Sequence, residues 1–334
     1  SIPVQPGRTI LELAADHGVF IPTLCHDERV KTYGACGLCV VEVEGAKNLV
    51  RACATEAAPG MKIKTESERV RQSRRITLEL IMSDHRGDCR PPCSLACPAD
   101  TDCQGYVGLI ANERFEEALR LLKESYPLPF SIGMVCPHPC ENACRRQMVE
   151  EPIAIADLKA FAASQDLGRL KPYLPEVTPP SGKRVAVAGS GPAGLTAAYF
   201  LARAGHEVTV YEAMPQAGGM LRYGIPEYRL PKAFLDQEID LIKAIGVKII
   251  TNTRIPDDID LSYLQDNFDA VFLGIGAWRS SQIGCSGEEH TRVLGGIDFL
   301  RQVAMNEPVD LGARVAVVGG GNTAMDAART AVRL

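Results

Sequence analysis

Residues Arg184–Leu201 read RVAVAGSGPAGLTAAYFL, and this stretch decides the fold of the second half of the chain. Alternating valine and alanine lead into a glycine turn and then into a proline-led apolar run, a pattern that predicts a buried strand followed by a helix. Gly189, Gly191 and Gly194 have the spacing of a dinucleotide-binding turn, in which the pyrophosphate lies on the helix N-terminus.

The flanking sequence strengthens this interpretation. A second strand is predicted at His206–Glu212, and Glu212 lies about twenty residues past the glycines, where a carboxylate can accept hydrogen bonds from the adenosine ribose. The pattern recurs from Arg314 onward, with Gly319, Gly321 and Ala324 in the three glycine positions. One glycine motif alone is weak evidence, but strand, turn, helix, strand and acid in register predict a dinucleotide-binding α/β domain.

The composition is that of a globular chain of two or three domains, since 46% of its 334 residues are hydrophobic and 23% are charged. A net charge of -5 without a long basic block argues against a nucleic-acid partner. No apolar run approaches the roughly 20 residues of a membrane span, and the start of the chain lacks a signal-peptide pattern, so we expect a cytoplasmic protein. The helical pattern at Thr323–Leu334 has no stop signal, and we expect a fragment of a longer protein.

The cysteines are clustered. Of the twelve, four lie between residues 25 and 53, four between residues 89 and 103, and three between residues 136 and 144, whereas Cys285 stands alone. Disulfides are not expected in a reducing cytosol, and clustered thiolates favour zinc or iron–sulfur clusters. We therefore predict metal sites in the first half of the chain and an ordinary thiol at Cys285.

The first group contains one short Cys-x-x-Cys pair, and its members are Cys25, Cys36, Cys39 and Cys53. Small residues in the segment GACGLC at 34–39 allow backbone N–H groups to approach the sulfides of a cluster. Zinc modules usually carry two short pairs, so a 2Fe–2S cluster is favoured and zinc remains the alternative. Through IPTLC at 21–25 and GACGLCVVEV at 34–43, residues 1–75 resemble the ferredoxin-like domain of the large iron–sulfur subunit of respiratory NADH dehydrogenase and of iron-only hydrogenases. That resemblance implies a β-grasp fold with one 2Fe–2S cluster.

The second and third groups share a spacing of four residues. The positions are His85, Cys89, Cys93 and Cys97, and then Cys136, Cys140 and Cys144. This spacing would align one face of a helix, but prolines interrupt both runs, so turns are predicted there. Between the two runs, the pattern at Glu113–Glu124 predicts an amphipathic helix that packs the cysteine-bearing loops together.

This arrangement, with MVCPHPCENAC at 134–144, resembles the N-terminal helical domain of the glutamate synthase small subunit, of dihydropyrimidine dehydrogenase and of NADH-dependent ferredoxin:NADP oxidoreductases. The match covers residues 86–165 and implies a helical domain with two 4Fe–4S clusters, which need eight ligands. The family supplies one ligand as Gln or Glu at a position that is Lys159 here, and a protonated amine cannot bind iron. Cys103 is the expected substitute, and His85 is expected to complete the set, with His138 as its rival. The resemblance implies one cluster on His85, Cys89, Cys93 and Cys144, and the other on Cys97, Cys103, Cys136 and Cys140.

The same resemblance extends into the dinucleotide region. AGGMLRYGIP at 217–226 is similar to the family's flavin-side loop, and DAVFLGIGA at 269–277 to the second flavin-domain strand of reductases with two dinucleotide sites. FAD is therefore favoured over NAD at the first glycine motif, and NAD(P)H is expected at the second. The implied FAD contacts are Gly189, Gly191, Pro192, Ala193, Gly194, Glu212, Gly218, Gly219, Met220 and Gly276. The implied NAD(P)H contacts are Gly319, Gly321, Asn322, Thr323 and Ala324.

The predicted architecture is therefore a multidomain α+β and α/β chain. Its expected parts are a 2Fe–2S domain (1–75), a helical two-cluster domain (76–170), a linker (171–183), a Rossmann-type FAD domain (184–290) and the truncated start of an NAD(P)H domain (291–334). No acid–base or nucleophilic constellation for another substrate is evident, so no catalytic side chain is predicted.

These parts predict an FAD- and iron–sulfur-dependent NAD(P)H oxidoreductase subunit of a larger redox complex. The expected partner is a formate dehydrogenase, a hydrogenase or a ferredoxin-linked transhydrogenase. Three alternatives stay open: a glutamate synthase small subunit, a pyrimidine-reducing enzyme, which would need a further catalytic domain, and a passive electron relay without nicotinamide turnover.

Overall fold

The computed structural model describes residues 3–4, 6–85 and 89–334, and the chain divides into two compact units, residues 1–91 and 92–334. Both helices and sheets are present, and the sheet of the second unit is parallel. Within the described ranges, no helix combines the length and the apolar character that crossing a membrane requires.

The first unit is built on a small antiparallel sheet in the strand order β2-β1-β3. Its elements are α1 (Ile10–Asp16), β1 (Val40–Val43), β2 (Val50–Arg51), β3 (Ile63–Lys64) and α2 (Glu68–Ser83). Helix α1 begins directly after Thr9, because Thr9 and Glu12 form a reciprocal capping box. Its buried face packs with Val41 and Ala52 of the sheet region, and Cys39 and Cys53 belong to the same core.

The second unit begins with a helical region. Its helices are α3 (Pro92–Ala96), α4 (Cys103–Ala111), α5 (Phe115–Ser125), α6 (Pro129–Val135), α7 (Pro139–Asn142) and α8 (Ile155–Leu167). The prediction of turns at the prolines was wrong in part, because Pro92 and Pro139 start short helices. A proline is well suited to the first helical position, where its missing N–H has no helical partner to lose. The predicted helix at Glu113–Glu124 is present but starts at Phe115, since Glu113 adopts a positive φ of 60°.

The remainder of the second unit carries a four-stranded parallel sheet in the order β6-β5-β4-β7. Its elements are β4 (Arg184–Ala188), α9 (Pro192–Arg203), β5 (Glu207–Tyr211), α10 (Met220–Tyr223), α11 (Lys232–Ala244), β6 (Lys248–Ile250), α12 (Leu261–Asn267), β7 (Ala270–Leu273), α13 (Gly296–Ala304) and α14 (Asn322–Arg333). The predicted sequence of strand, glycine turn, helix and strand is present at β4, α9 and β5. Strand β4 pairs with β5 on one side and β7 on the other, so its apolar residues are buried.

The second glycine motif is only partly regular. Helix α14 follows its turn, but residues 314–318 form no strand, because no neighbouring strand in the described ranges pairs with them. Val315, Val317 and Val318 are consequently exposed.

Candidate iron–sulfur and dinucleotide sites

The four cysteines of the first group come together beside the sheet of the first unit. Cys39 and Cys53 are buried with their sulfurs 3.3 Å apart, and the backbone N–H of Cys36 donates to Cys25 Sγ at 3.3 Å. Burial and then the three neighbouring thiols raise the pKa of the Cys53 thiol to about 12. One small region of the unit therefore collects all four sulfurs.

Backbone donors surround these sulfurs. Burial acts against the shift, but backbone N–H groups of Leu38, Cys25 and Leu24 lower the pKa of the Cys36 thiol below its ordinary value. Gly34 and Gly37 adopt positive φ values of 67° and 72°, which side chains rarely adopt, so the loop depends on glycine for its path. Sulfurs flanked by N–H donors suit a negatively charged iron–sulfur cluster, and the donor set fits the predicted 2Fe–2S group.

The second unit brings together Cys97, Cys103, Cys136 and Cys140. Burial, and then the charges of the Cys140, Cys97 and Cys93 thiols, raise the pKa of the Cys103 thiol. Burial followed by the charges of Glu141 and Cys136 raises the pKa of the Cys140 thiol as well. Cys103 begins α4 and Cys140 lies in α7, so the two helices present their thiols to one shared core.

Polar groups again approach these sulfurs. The Thr101 hydroxyl lies 3.4 Å from Cys97 Sγ, and the backbone N–H of His138 donates to Cys136 Sγ at 3.3 Å. Four thiols with local donors fit one 4Fe–4S cluster, and the partition of the ligands between two clusters stays a prediction.

The other predicted ligands fall into two pairs. Cys93 and Cys144 are close enough for the charge of Cys144 to contribute, after burial, to a raised pKa of the Cys93 thiol. His85 Nε2 lies 3.7 Å from Cys89 Sγ in the first unit. The rival ligand, His138, is half exposed and places its Nδ1 3.2 Å from Glu141 Oε2. The assignment of His85 stays a prediction.

No three or more Cys, His, Asp or Glu side chains meet around a point for a single metal ion within the described part of the chain. In a 4Fe–4S cluster each of the four ligands binds a different iron, so the ligand atoms of such a cluster do not meet around one point.

Lys159 lies in the cluster region on α8. Its side chain is buried, and its Nζ sits 5.3 Å from the centre of the Tyr126 ring. An ammonium has no lone pair for iron, and the exclusion of Lys159 from the ligand set stays a prediction.

The backbone of the first glycine motif is in close contact with neighbouring backbone atoms. A Cβ at Gly194 would overlap with the carbonyl oxygen of Gly189, and a Cβ at Gly189 would lie 2.5 Å from the carbonyl oxygen of Gly274. Gly189 also adopts a positive φ of 96°. The turn therefore accepts no side chain at these two positions, which leaves main-chain N–H groups to face an anion at the start of α9.

Glu212 holds the turn in place. Its buried carboxylate accepts from the Ser190 backbone N–H at 2.9 Å, from the Ser190 hydroxyl, and from the Met214 backbone N–H at 2.8 Å. A carboxylate has further acceptor sites, so the predicted ribose contact fits beside these bonds.

The loop that contains Gly218, Gly219 and Met220 lies against this turn. A Cβ at Gly219 would lie 2.6 Å from Gly191 Cα, and the Gly218 N–H donates to the Ser190 carbonyl at 3.1 Å. Pro192 and Ala193 begin α9 above the turn. Sequence reasoning missed Ser190 and Gly274, although Gly274 precedes the predicted Gly276 in the same LGIGA run.

The second glycine motif keeps the turn and the helix. Gly319 adopts a positive φ of 120°, Gly321 caps α14, and Asn322, Thr323 and Ala324 form its first turn. A cavity of about 340 Å³ connects this helix start with the cluster region, lined in part by Asn322, Arg229 and Cys136.

Comparison with known families divides the chain into three matches. Residues 1–68 match the 2Fe–2S iron–sulfur cluster binding domain, residues 66–169 match dihydropyrimidine dehydrogenase domain II with its 4Fe–4S cluster, and residues 183–334 match the pyridine nucleotide-disulphide oxidoreductases. The chain therefore combines matches to iron–sulfur cluster domains with a match to a pyridine nucleotide oxidoreductase domain. Proteins that it resembles include the NADPH-Fe(3+) oxidoreductase subunit beta of Geobacter sulfurreducens, 45% identical over 72% of this chain and 37% of that protein.

Two further relatives carry different names. The NADP(+)-dependent formate dehydrogenase subunit beta of Moorella thermoacetica is 44% identical over 72% of this chain and 38% of its own length. The NADH glutamate synthase of Saccharomyces cerevisiae is 36% identical over 74% of this chain and 12% of its own length. The chain spans less than two fifths of the length of these relatives.

Among solved structures, Mycobacterium tuberculosis FprA in complex with NADPH is 26% identical, with a TM-score of 0.40 over 46% of this chain and 36% of that one.

Proposed function

We propose that the chain is an FAD- and iron–sulfur-dependent NAD(P)H oxidoreductase subunit of a larger redox complex. The observation that carries this proposal is the combination, in one chain, of two sets of gathered thiols with a glycine turn made for a dinucleotide. The names of two of the relatives contain NADPH and NADP(+), and both are called subunits. They support NADPH as the nicotinamide and a partner subunit of the formate dehydrogenase or metal-reductase kind.

Each part of the chain has a distinct task. Gly189, Gly191 and Gly194 would hold the pyrophosphate of FAD, and Glu212 would orient its ribose while fixing the turn through Ser190. When bound, a flavin accepts two electrons as hydride from a nicotinamide and releases them singly to iron–sulfur clusters. Asn322 and the start of α14 would bind the nicotinamide nucleotide. Cys136, a proposed cluster ligand, lines the same cavity as Asn322, which supports this arrangement.

Two 4Fe–4S clusters and one 2Fe–2S cluster correspond to about ten irons per chain, with an equal amount of acid-labile sulfide. We expect an anaerobic preparation of the full protein to contain both, together with FAD and negligible zinc. Stoichiometric zinc without sulfide would contradict the cluster assignment.

A pair of cysteine variants tests the ligand set. Cys103→Ala should lower the iron content by about four per chain, because it removes one thiolate of a 4Fe–4S cluster. Cys285→Ala is the matched control, since Cys285 is exposed and outside all three groups, and should keep the full iron content. Equal iron in both variants would remove Cys103 from the ligand set.

Nicotinamide turnover separates the proposal from its alternatives. Addition of NADPH should bleach the flavin absorbance, whereas a passive relay would leave it unchanged. A glutamate synthase small subunit would instead produce glutamate when supplied with its partner subunit, glutamine and 2-oxoglutarate. The 36% identity to the yeast enzyme keeps this second function open to test.

A further inference from the structure

Lys159 occupies an unusual place for a lysine. Its side chain is only 6% exposed, on helix α8, and its ammonium lies over the face of Tyr126 at 5.3 Å. A buried lysine without a neighbouring negative charge is costly, so a cation held in this position is expected to face negative charge.

The cysteines of the neighbouring helices would supply this negative charge as ligands of a cluster. Cys103, Cys140 and Tyr126 share one hydrophobic core with Ile155 and Ala162, which flank Lys159 on α8. The ammonium lies over the Tyr126 ring of that core, so the ammonium and these cysteines lie within one poorly hydrated region.

The position of α8 relative to the thiols is fixed by a close helix crossing. A Cβ at Gly133 would lie 2.6 Å from Ala160 Cβ and 2.7 Å from the Ala160 backbone nitrogen. Helix α6 therefore contacts α8 at backbone level, next to Lys159, and α6 ends directly before Cys136. The crossing therefore fixes the position of Lys159 relative to Cys136.

We propose that Lys159 is a fixed, buried cation that raises the reduction potential of the 4Fe–4S cluster held by Cys97, Cys103, Cys136 and Cys140. This inference rests on the proposed function, because it requires that cluster. The step concerned is the gain of one electron, which NAD(P)H supplies through the flavin, and no bond to a ligand forms or breaks. The cluster with its thiolates becomes more negative by one unit, so a fixed cation nearby stabilises the reduced form more than the oxidised form.

The test is a redox titration of the intact protein, with the reduced cluster followed by electron paramagnetic resonance. Loss of a signal in Cys103→Ala assigns that signal to this cluster. Lys159→Met should then shift the midpoint of the signal to a more negative potential. We expect the ratio of reduced to oxidised cluster at fixed potential to fall about tenfold, which is about 59 mV for one electron. Lys159→Arg should restore a midpoint close to that of the wild type.

Lys123→Met is the matched control. Lys123 is equally buried in the same region, but its Nζ donates to the Tyr173 carbonyl at 3.0 Å, and its charged neighbours are Asp166 and Glu238. Removing this charge should leave the midpoint unchanged. An equal shift in Lys123→Met and Lys159→Met would show a nonspecific effect and overturn the proposal.

The remaining outcomes also decide the question. A full iron content with an unchanged midpoint in Lys159→Met contradicts the inference and leaves the proposed function intact. If Lys159→Met loses iron, the same titration is made with Lys159→Leu, which is neutral and has no atom that can bind iron. Loss of the cluster from both neutral variants would make Lys159 a residue required for assembly, and the tuning role would be wrong. Absence of any 4Fe–4S cluster in the wild type would instead contradict the proposed function.

Discussion

The two glycine motifs have the same residue spacing, but they differ in strand pairing and in how their helices are packed. In the first motif, β4 is hydrogen-bonded on both sides, and α9 packs Leu195 and Ala198 into the largest core of the molecule. In the second motif, residues 314–318 have no paired strand, and Val318 is 74% exposed. Helix α14 contacts only a small core around Phe299 and Leu300.

Polar contacts add to this small core in holding helix α14. Asp326 of α14 forms a buried ion pair with Arg229, and Tyr228 donates to the Asp326 carbonyl at 3.3 Å. The guanidinium groups of Arg329 and Arg333 lie over the Tyr228 ring at 4.5 and 4.1 Å. The comparison teaches that the glycine spacing specifies a turn and a helix locally, whereas the strand before it depends on its neighbours.

The largest expected effect comes from the third glycine position. Gly194→Ala places a methyl group into the carbonyl oxygen of Gly189, and we expect the free energy of unfolding to fall by about 3 kcal/mol or more. Ala324→Gly is the equivalent exchange in the second motif and should cost about 1 kcal/mol or less, as for an alanine-to-glycine change in a helix. Thermal unfolding of both variants measures the difference. Equal losses would mean that the two turns are packed alike.

The next effect concerns the carboxylate that anchors the first motif to the cluster region. Glu238 of α11 is buried and accepts from the backbone N–H groups of Phe130 at 2.6 Å and Ser131 at 3.0 Å. Burial raises its pKa from 4.5 to about 7, although Ser131, Phe130 and Lys123 oppose the shift. The folded state therefore holds the proton more tightly than the unfolded state. The stability from this group is fully present below pH 4.5 and is lost as the pH rises through about 7.

The corresponding loss is about 3 kcal/mol across this window. The unfolding free energies of wild type and Glu238→Gln are compared from pH 4.5 to 8. As the pH rises, the variant should therefore become more stable relative to the wild type. Asp326→Asn, the counterpart on the second motif, should lower stability because it removes the ion pair with Arg229. A pH-independent difference for Glu238→Gln would show that the carboxyl is not protonated near neutrality.

A smaller effect is expected at Glu212. Glu212→Gln weakens the charged hydrogen bonds to Ser190 and Met214, and we expect a loss of about 2 kcal/mol together with a lower ratio of flavin to protein. Glu207→Gln, at the start of the strand that precedes Glu212, removes only an exposed pair with Lys248 and should leave stability nearly unchanged. Full flavin content in the Glu212 variant would remove this residue from the cofactor site.

The smallest effect on stability is expected at Gly321. Nothing lies within 4 Å of a Cβ built there, so Gly321→Ala should change the unfolding free energy by about 0.5 kcal/mol or less. The added methyl group would nevertheless face the predicted nucleotide site, so the KM for NADPH should rise while flavin content stays constant. An unchanged KM would place the nicotinamide away from this turn.

The sequence predicted the parts of the fold that local pattern controls. Strand β4, its turn and α9 follow from alternation and glycine spacing, and the Thr9 cap marked the start of α1. The short helices at Pro92 and Pro139 were missed, because proline signals both a break and a helix start. The missing strand at 314–318 and the buried position of Lys159 depend on which elements meet in space, and no local pattern encodes that information.

The crossing of Gly133 and Ala160 has a consequence for the speed of electron transfer. Because the two helices touch at backbone level, the segment that leads to Cys136 cannot move independently of the helix that carries Lys159. Charges and dipoles around the proposed cluster are then already oriented when an electron arrives, which keeps the reorganisation energy small. The ammonium would set where the redox equilibrium lies, while the contact between one glycine and one alanine would set how quickly it is reached.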